Sequence, residues 1–147
     1  MEEIFKTIFT ACKALAWLKQ ISADEGQLEA VDAEGNSKPV SLLPCLLIEA
    51  QQTNWEAGDI ADQYGDATII TRFGYRKTAD QSNLTSAAIF EASLANLKKR
   101  LLIEKAIAQA ISASHGRITR LSSEREKRGD GIIVYRTKWS CSVRESL

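Results

Sequence analysis

The sequence holds one histidine, one methionine, two prolines and three cysteines in 147 residues, and these scarcities narrow the chemistry open to it. With His115 as the sole imidazole, any Ser-His or Cys-His nucleophilic pair would depend on a residue at a predicted helix end, where capping is the commoner role. Cys12, Cys45 and Cys141 are odd in number and lie 33 and 96 residues apart. With a single histidine that spacing makes no zinc signature, and it fits reduced, buried thiols better than a disulfide framework. Neither G-x-G-x-x-G nor G-x-x-x-x-G-K-[ST] occurs, so no glycine loop is seen to cradle phosphate. The longest apolar run, Leu42–Ile48, has seven residues and contains Pro44, against the ~20 that a membrane span needs. The opening Glu2-Glu3 lacks the basic-then-apolar order of a secretory signal. The expectation is a soluble cytoplasmic protein that is not an enzyme and uses no metal or cofactor.

What is present is an ordinary globular composition, 44% hydrophobic and 26% charged. Its length suits one domain over residues 1–147, which can bury roughly two-thirds of its unfolded surface without metal or disulfide. The 19 basic and 19 acidic residues cancel, so total charge gives no reason to expect nucleic acid, an anionic membrane or an acidic substrate. Their distribution is uneven: residues 1–97 hold 7 Lys+Arg against 14 Asp+Glu, and residues 98–147 hold 12 against 5. If the halves stay apart in space, such a chain can steer copies of itself head to tail, positive patch to negative patch. If they intermix, the dipole cancels.

From Glu2 to Lys19 the residues Ile4, Phe5, Ile8, Phe9, Cys12, Leu15 and Leu18 recur at three and four, which predicts an amphipathic helix. A short strand over Leu28–Val31 then runs into the turn-rich Asp32–Asn36. Pro44 opens a strand over Cys45–Gln52, with Leu46, Ile48 and Ala50 facing one way and Glu49 and Gln51 the other. Residues 53–66 carry two glycines, two aromatics and no lasting period, and read as a long loop of the kind that is usually functional or interfacial. Ala67–Arg76 alternates, with Ile69, Phe73 and Tyr75 opposite Thr68, Arg72 and Arg76.

Ser82 or Thr85 can cap a long helix over Ser86–Ser112, with Ile89, Phe90, Leu94, Leu97, Leu101, Ile107 and Ile111 as its apolar stripe and His115-Gly116 as its end. Arg117–Ser122 and Ile132–Arg144 form a hairpin around the charged loop 123–131, with Ile133, Tyr135, Thr137, Trp139, Cys141 and Val143 inward. Strands that come in neighbouring pairs predict an α+β fold. Its sheet is mainly antiparallel with about four to five strands, and both helices pack on one face. The other face, with Arg72, Arg136, Lys138 and Arg144, is left to solvent or a partner.

Asp59, Asp62 and Asp66 are hard oxygen ligands in type, but their spacing does not match a calcium loop, and a solvated acidic loop accounts for them. Arg128-Gly129-Asp130 is explained by turn geometry. The hairpin gathers Arg117, Arg120, Arg125, Lys127, Arg128, Arg136 and Lys138 near Tyr135 and Trp139, residue types that bind phosphate and stack bases. Tyr135 and Trp139 nevertheless share the inward phase, and Glu124, Glu126 and Asp130 dilute the charge, so nucleic-acid binding stays the alternative.

Several segments taken together carry a resemblance: Leu43-Pro-Cys-Leu-Leu-Ile-Glu49, Thr53-Asn-Trp-Glu-Ala-Gly58, Ala67-Thr-Ile-Ile-Thr-Arg-Phe-Gly74, the long helix, Ile118-Thr-Arg-Leu-Ser-Ser-Glu124 and Gly131-Ile-Ile-Val-Tyr-Arg-Thr-Lys-Trp139. From the first helix to the last strand the chain resembles the tail terminator, or tail-completion, proteins of long-tailed bacteriophages and prophages, through element order, a proline-led strand and the closing hairpin. The resemblance implies a small α+β subunit in a homo-hexameric ring on the head-proximal end of the tail tube. Such a ring stops tube polymerisation and meets the head connector, first in the host bacterial cytoplasm and then in the virion tail. The expected partners are further copies, the tube protein and the connector protein. Within that picture Trp55, Gly58 and Asp59 in the long loop, and Arg125, Lys127 and Arg128 in the hairpin, are the expected inter-subunit or tube contacts. Tryptophan is over-represented at binding hot spots, which makes Trp55 the foremost, although packing over the sheet would equally explain it.

Overall fold

A computed structural model describes residues 1–30, 33–35, 42–56, 62–77 and 85–146. The fold is α+β. In chain order its elements are α1 (Glu2–Lys13), β1 (Gln20–Ala23), β2 (Cys45–Glu56), β3 (Asp62–Arg76), α2 (Ser86–Ser114), β4 (Ile118–Arg125) and β5 (Ile132–Ser146). Among the described residues the sheet has the order β1-β2-β3-β5-β4. β2, β3, β5 and β4 pair antiparallel in turn, while β1 lies parallel to β2.

Both helices pack on one face, as the apolar patterns require. Ile4, Ile8 and Cys12 of α1 and Ile103, Ile107 and Ile111 of α2 meet Leu46, Ile48, Ile69, Phe73, Trp139, Cys141 and Val143 of the sheet. Each fully buried side chain of this size contributes ~1.5–3 kcal/mol. The inward phase expected for β5 holds, with the indole N–H of Trp139 donating to Thr71 Oγ1 at 3.0 Å. The three cysteines are buried and unpaired. Burial pushes the Cys12 thiol up to about 12 and the Cys141 thiol to about 11.

The first helix is shorter than its sequence period. It stops at Lys13, and the Leu15 amide donates to the Cys12 carbonyl at 2.9 Å and the Leu18 amide to the Leu15 carbonyl at 3.0 Å. Those turns bring the Lys19 amide to the Pro44 carbonyl at 2.9 Å, which starts β1 alongside β2. Leu15 and Leu18 still pack on the core from this turn, so their period was real although the helix had ended. The early strand is thus Gln20–Ala23, and Leu28 lies in a turn instead; Val31 falls outside the described residues. Four residues at the side of a sheet carry almost no alternation, so β1 left little mark in the sequence.

Leu28 belongs to a second, smaller core with Leu43, Cys45, Leu47 and Val134 on the face away from the helices. That face is therefore covered at one end, and Arg72 beneath the cover is buried while Arg144 at the far end is exposed. The expectation that Arg72, Arg136, Lys138 and Arg144 share one open face holds only in part. Thr85 caps α2 by accepting from the Ala88 amide at 3.2 Å, and His115 ends it before Gly116 at φ +89°. The alternative cap, Ser82, is outside the described residues.

Candidate assembly surface

Trp55 is a strand residue. β2 runs to Glu56 and β3 starts at Asp62, so most of the expected loop over 53–66 is a paired ribbon. The signal was lost because the pairing register shifts between Ala50 and Gln52, and such an irregularity breaks period-two alternation without ending the strand. Trp55 faces Gly65 across the ribbon and is 39% exposed. A Cβ at position 65 would collide with the Asn54 carbonyl and come within 3.1 Å of Trp55 Cε3, so glycine is what lets the ring lie down there. Gly65→Ala is expected to cost about 1–3 kcal/mol by forcing the two backbones apart, and to shift the indole emission as Trp55 lifts off. A chemical denaturation midpoint within error of the parent would refute this packing.

At the same end of the molecule the Arg144 guanidinium lies 5.4 Å from the Tyr64 ring centroid and pairs with Asp62 at 2.6 Å. Tyr64 is half exposed. Gly58 and Asp59, expected beside Trp55, fall outside the described residues.

The three hairpin residues separate. Arg125 is exposed at the end of β4, beside a cleft shared with Tyr75, Lys77, Ser93 and Asn96. Lys127 is exposed in the loop after it. Arg128 is bound within the chain: it pairs with Asp130 at 2.6 Å, with Glu29 at 3.4 Å and with Glu126 at 3.6 Å, and donates to the Leu28 carbonyl. It shares two of those carboxylates with Arg72, which binds Glu126 through Nε and Nη2 at 2.8 Å each, Asp24 at 3.3 Å, and Glu29. The two arginines therefore fasten the 24–29 segment and the hairpin loop to the sheet. Arg72 hydrogen bonding holds the Glu29 carboxyl below its ordinary range, and Arg128 does the same for Asp130.

Other hairpin cations are also engaged. Arg120 binds the buried Glu104 at 2.5 Å, and Arg136 meets Glu124 at 3.6 Å. The Arg100 guanidinium lies 5.2 Å from the Tyr135 ring centroid, which covers the ring on the helix side. His115 bonds Ser114 at the helix end, a capping position.

The surface that the sequence did not single out is on α2. Its buried residues are Ile103, Glu104, Ile107 and Ile111, all in the C-terminal half. Phe90, Leu94, Leu97 and Leu101, expected in the core, are exposed, Phe90 at 64%. They recur at four, three and four, the spacing of a seam into which another element's side chains interlock. The spread of apolar residues over more than one side of the helix was the available signal, because a helix packed in one direction needs only one stripe. Large exposed apolar patches mark contact surfaces. No protein-family model matches the chain, and no curated protein sequence matches it.

Proposed function

We propose that the chain is a structural virion-assembly subunit of a long-tailed phage or prophage, acting as a tail terminator. It would form a homo-hexameric ring on the head-proximal end of the tail tube, stop tube polymerisation and receive the head connector. The observation that supports this reading best is the exposed line Phe90, Leu94, Leu97 and Leu101 on a helix whose other half is packed. Leaving four large apolar side chains in water is unfavourable by the same effect that drives burial elsewhere, and association removes them. The work of such a protein is binding, so no catalytic set or cofactor enters the proposal.

Its partners are further copies of itself, the tube protein and the connector protein, in the host cytoplasm during assembly and then in the tail. Trp55 and the exposed Arg125 and Lys127 are proposed contacts, with Gly58 and Asp59 joined to them by position in the sequence. Nucleic-acid binding by the hairpin is the weaker reading, since Arg120, Arg128 and Arg136 are occupied by carboxylates of the same chain.

Native mass spectrometry over a wide concentration range and at two salt concentrations tests the proposal. The expected result is a closed six-membered species that loosens as salt rises. A monomer at every concentration that also binds nucleic acid with a steep salt dependence would overturn it in favour of the alternative.

A further inference from the structure

The stripe of α2 that faces the sheet changes character along the helix. Ile103, Ile107 and Ile111 fill it in the C-terminal half. At steps of three and four the same stripe continues toward the N-terminus as Arg100, Asn96, Ser93 and Ile89, so an interface that apolar side chains ordinarily close turns polar here. It also stays open: a cleft of 150 Å³ lies between α2 and the ends of β3 and β4. Ile89 of the helix and Ile133 of β5 supply its apolar walls, and the buried Tyr75 ring lies against it. Asn96, Lys77 and Arg125 supply its hydrogen-bond donors, since the Ser93 hydroxyl is already spent on the Ile89 carbonyl at 3.1 Å.

The charge of this cleft is uncompensated. Arg120, Arg128, Arg136 and Arg144 are each paired with a carboxylate of the chain. Among the described residues Lys77 and Arg125 are not, and no carboxylate lines the cleft. Arg100, next on the stripe, lies over the Tyr135 ring and adds a further cation, whose buried Nε has no acceptor among the described residues. Burial, with Tyr135 beside it, pushes the Tyr75 hydroxyl up to about 12, so that it brings no negative charge at neutral pH. Two cations that converge on a partly apolar hollow call for an anion to complete them.

We infer that the cleft between α2 and the ends of β3 and β4 binds a phosphate monoester, with Lys77, Arg125 and the Asn96 amide on the phosphate and Ile89 and Ile133 against the first atoms of the esterified group. A phosphate monoester carries about −1.5 to −2 charges at pH 7 and three strong acceptor oxygens, which match two cations and an amide better than the single charge and two oxygens of a carboxylate. A cavity of this size holds about one benzene ring, so only the phosphate and its immediate attachment enter, and the rest of the ligand stays outside. The inference goes beyond the assembly reading and does not rest on it.

The test is calorimetric titration of the full-length protein with phenyl phosphate in a phosphate-free buffer of low salt. Saturable one-to-one binding is expected, weakened roughly tenfold by Lys77→Gln or Arg125→Gln and roughly a hundredfold by both. Both positions are exposed, so the fold is expected to survive. Asn96→Asp, which removes neither cation and places a carboxylate in the cleft, is expected to weaken binding at least tenfold and gives a second route to the result. Lys105→Gln, on the same helix but outside the cleft, is expected to change nothing. No binding by the parent at ~10 mM ligand, full binding by the folded double variant, or an equal loss in Lys105→Gln would overturn the inference, and benzoate binding as tightly would overturn the assignment to phosphate. Competition by a 5′-phosphorylated but not a 5′-hydroxyl oligonucleotide would uphold the site and place the phosphate on a nucleic-acid end. Competition by neither would uphold it for a free ester, and competition by both would overturn it in favour of general polyanion binding.

Discussion

Arg72→Ala is expected to lower the unfolding free energy by about 3 kcal/mol, at the lower end of the range for removing one partner of a buried ion pair. The Arg72 side chain is 10% exposed and is held by three carboxylates, Asp24, Glu29 and Glu126. Without it Asp24, equally buried, loses the ion pair it makes with Arg72, while among the described residues Glu29 and Glu126 share only Arg128. Glu29 is half exposed and can recover water, which keeps the cost near the bottom of the range. The turn that carries Leu28 also loses its anchor, so the smaller core with Leu43, Cys45, Leu47 and Val134 opens.

The pH dependence follows with a definite sign. The folded-state carboxyls of Glu29 and Asp130 are held down, so their contribution is complete above the ordinary carboxylate range and is lost as pH falls through their folded values. Arg72→Ala removes the chief cause at Glu29. The variant therefore has less stability to lose in acid, and the gap between the two proteins narrows as pH falls from about 7 toward about 3. Urea titrations at several pH values measure this; a gap that stays constant or widens in acid would show that Arg72 acts through packing alone.

This cluster was invisible in the sequence for a physical reason. Period-two alternation placed Arg72 on the face away from the helices, correctly, and a charged residue on such a face is ordinarily solvated. What buries it is a turn 43 to 48 residues upstream and a loop residue 54 downstream, and no local pattern announces that closure. The α+β class, the long second helix and the alternation of β5 were legible because each is written in a local period that tertiary packing then used. The ends of β2 and β3 were not, since a register shift hides the alternation while backbone pairing continues. On α2 the period identified the helix but could not tell which of its apolar residues face the sheet. Ile103, Ile107 and Ile111 do; Phe90, Leu94, Leu97 and Leu101 lie about a third of a turn away and are exposed.

Glu104→Ala is the second substitution with a large expected effect, again about 3 kcal/mol. Glu104 is 5% exposed on the inner side of α2. Its Oε2 accepts from Arg120 Nη1 at 2.5 Å, and its Oε1 accepts from the Thr137 hydroxyl at 2.9 Å and the Ser123 hydroxyl at 3.0 Å. One carboxylate thus ties the helix to β4 and β5 where the run of buried residues on α2 begins. Truncation leaves the buried Thr137 hydroxyl only its longer bond to the Ser123 hydroxyl, at 3.2 Å among the described residues, and a void beneath the helix, although Arg120 can turn to water. Glu104→Gln keeps an acceptor for Arg120 and lets the rotatable hydroxyls accept from the amide, so about half the loss is expected back. Because the proposed assembly surface lies on the helix that Glu104 anchors, Glu104→Ala is expected to weaken self-association, while Lys98→Ala, on the exposed side of the same helix, leaves stability within about 0.5 kcal/mol. Stability of Glu104→Ala equal to that of the parent would mean that the packed half of α2 is fixed by Ile103, Ile107 and Ile111 alone. Lost stability with undiminished assembly would mean that the seam binds without needing a rigid platform.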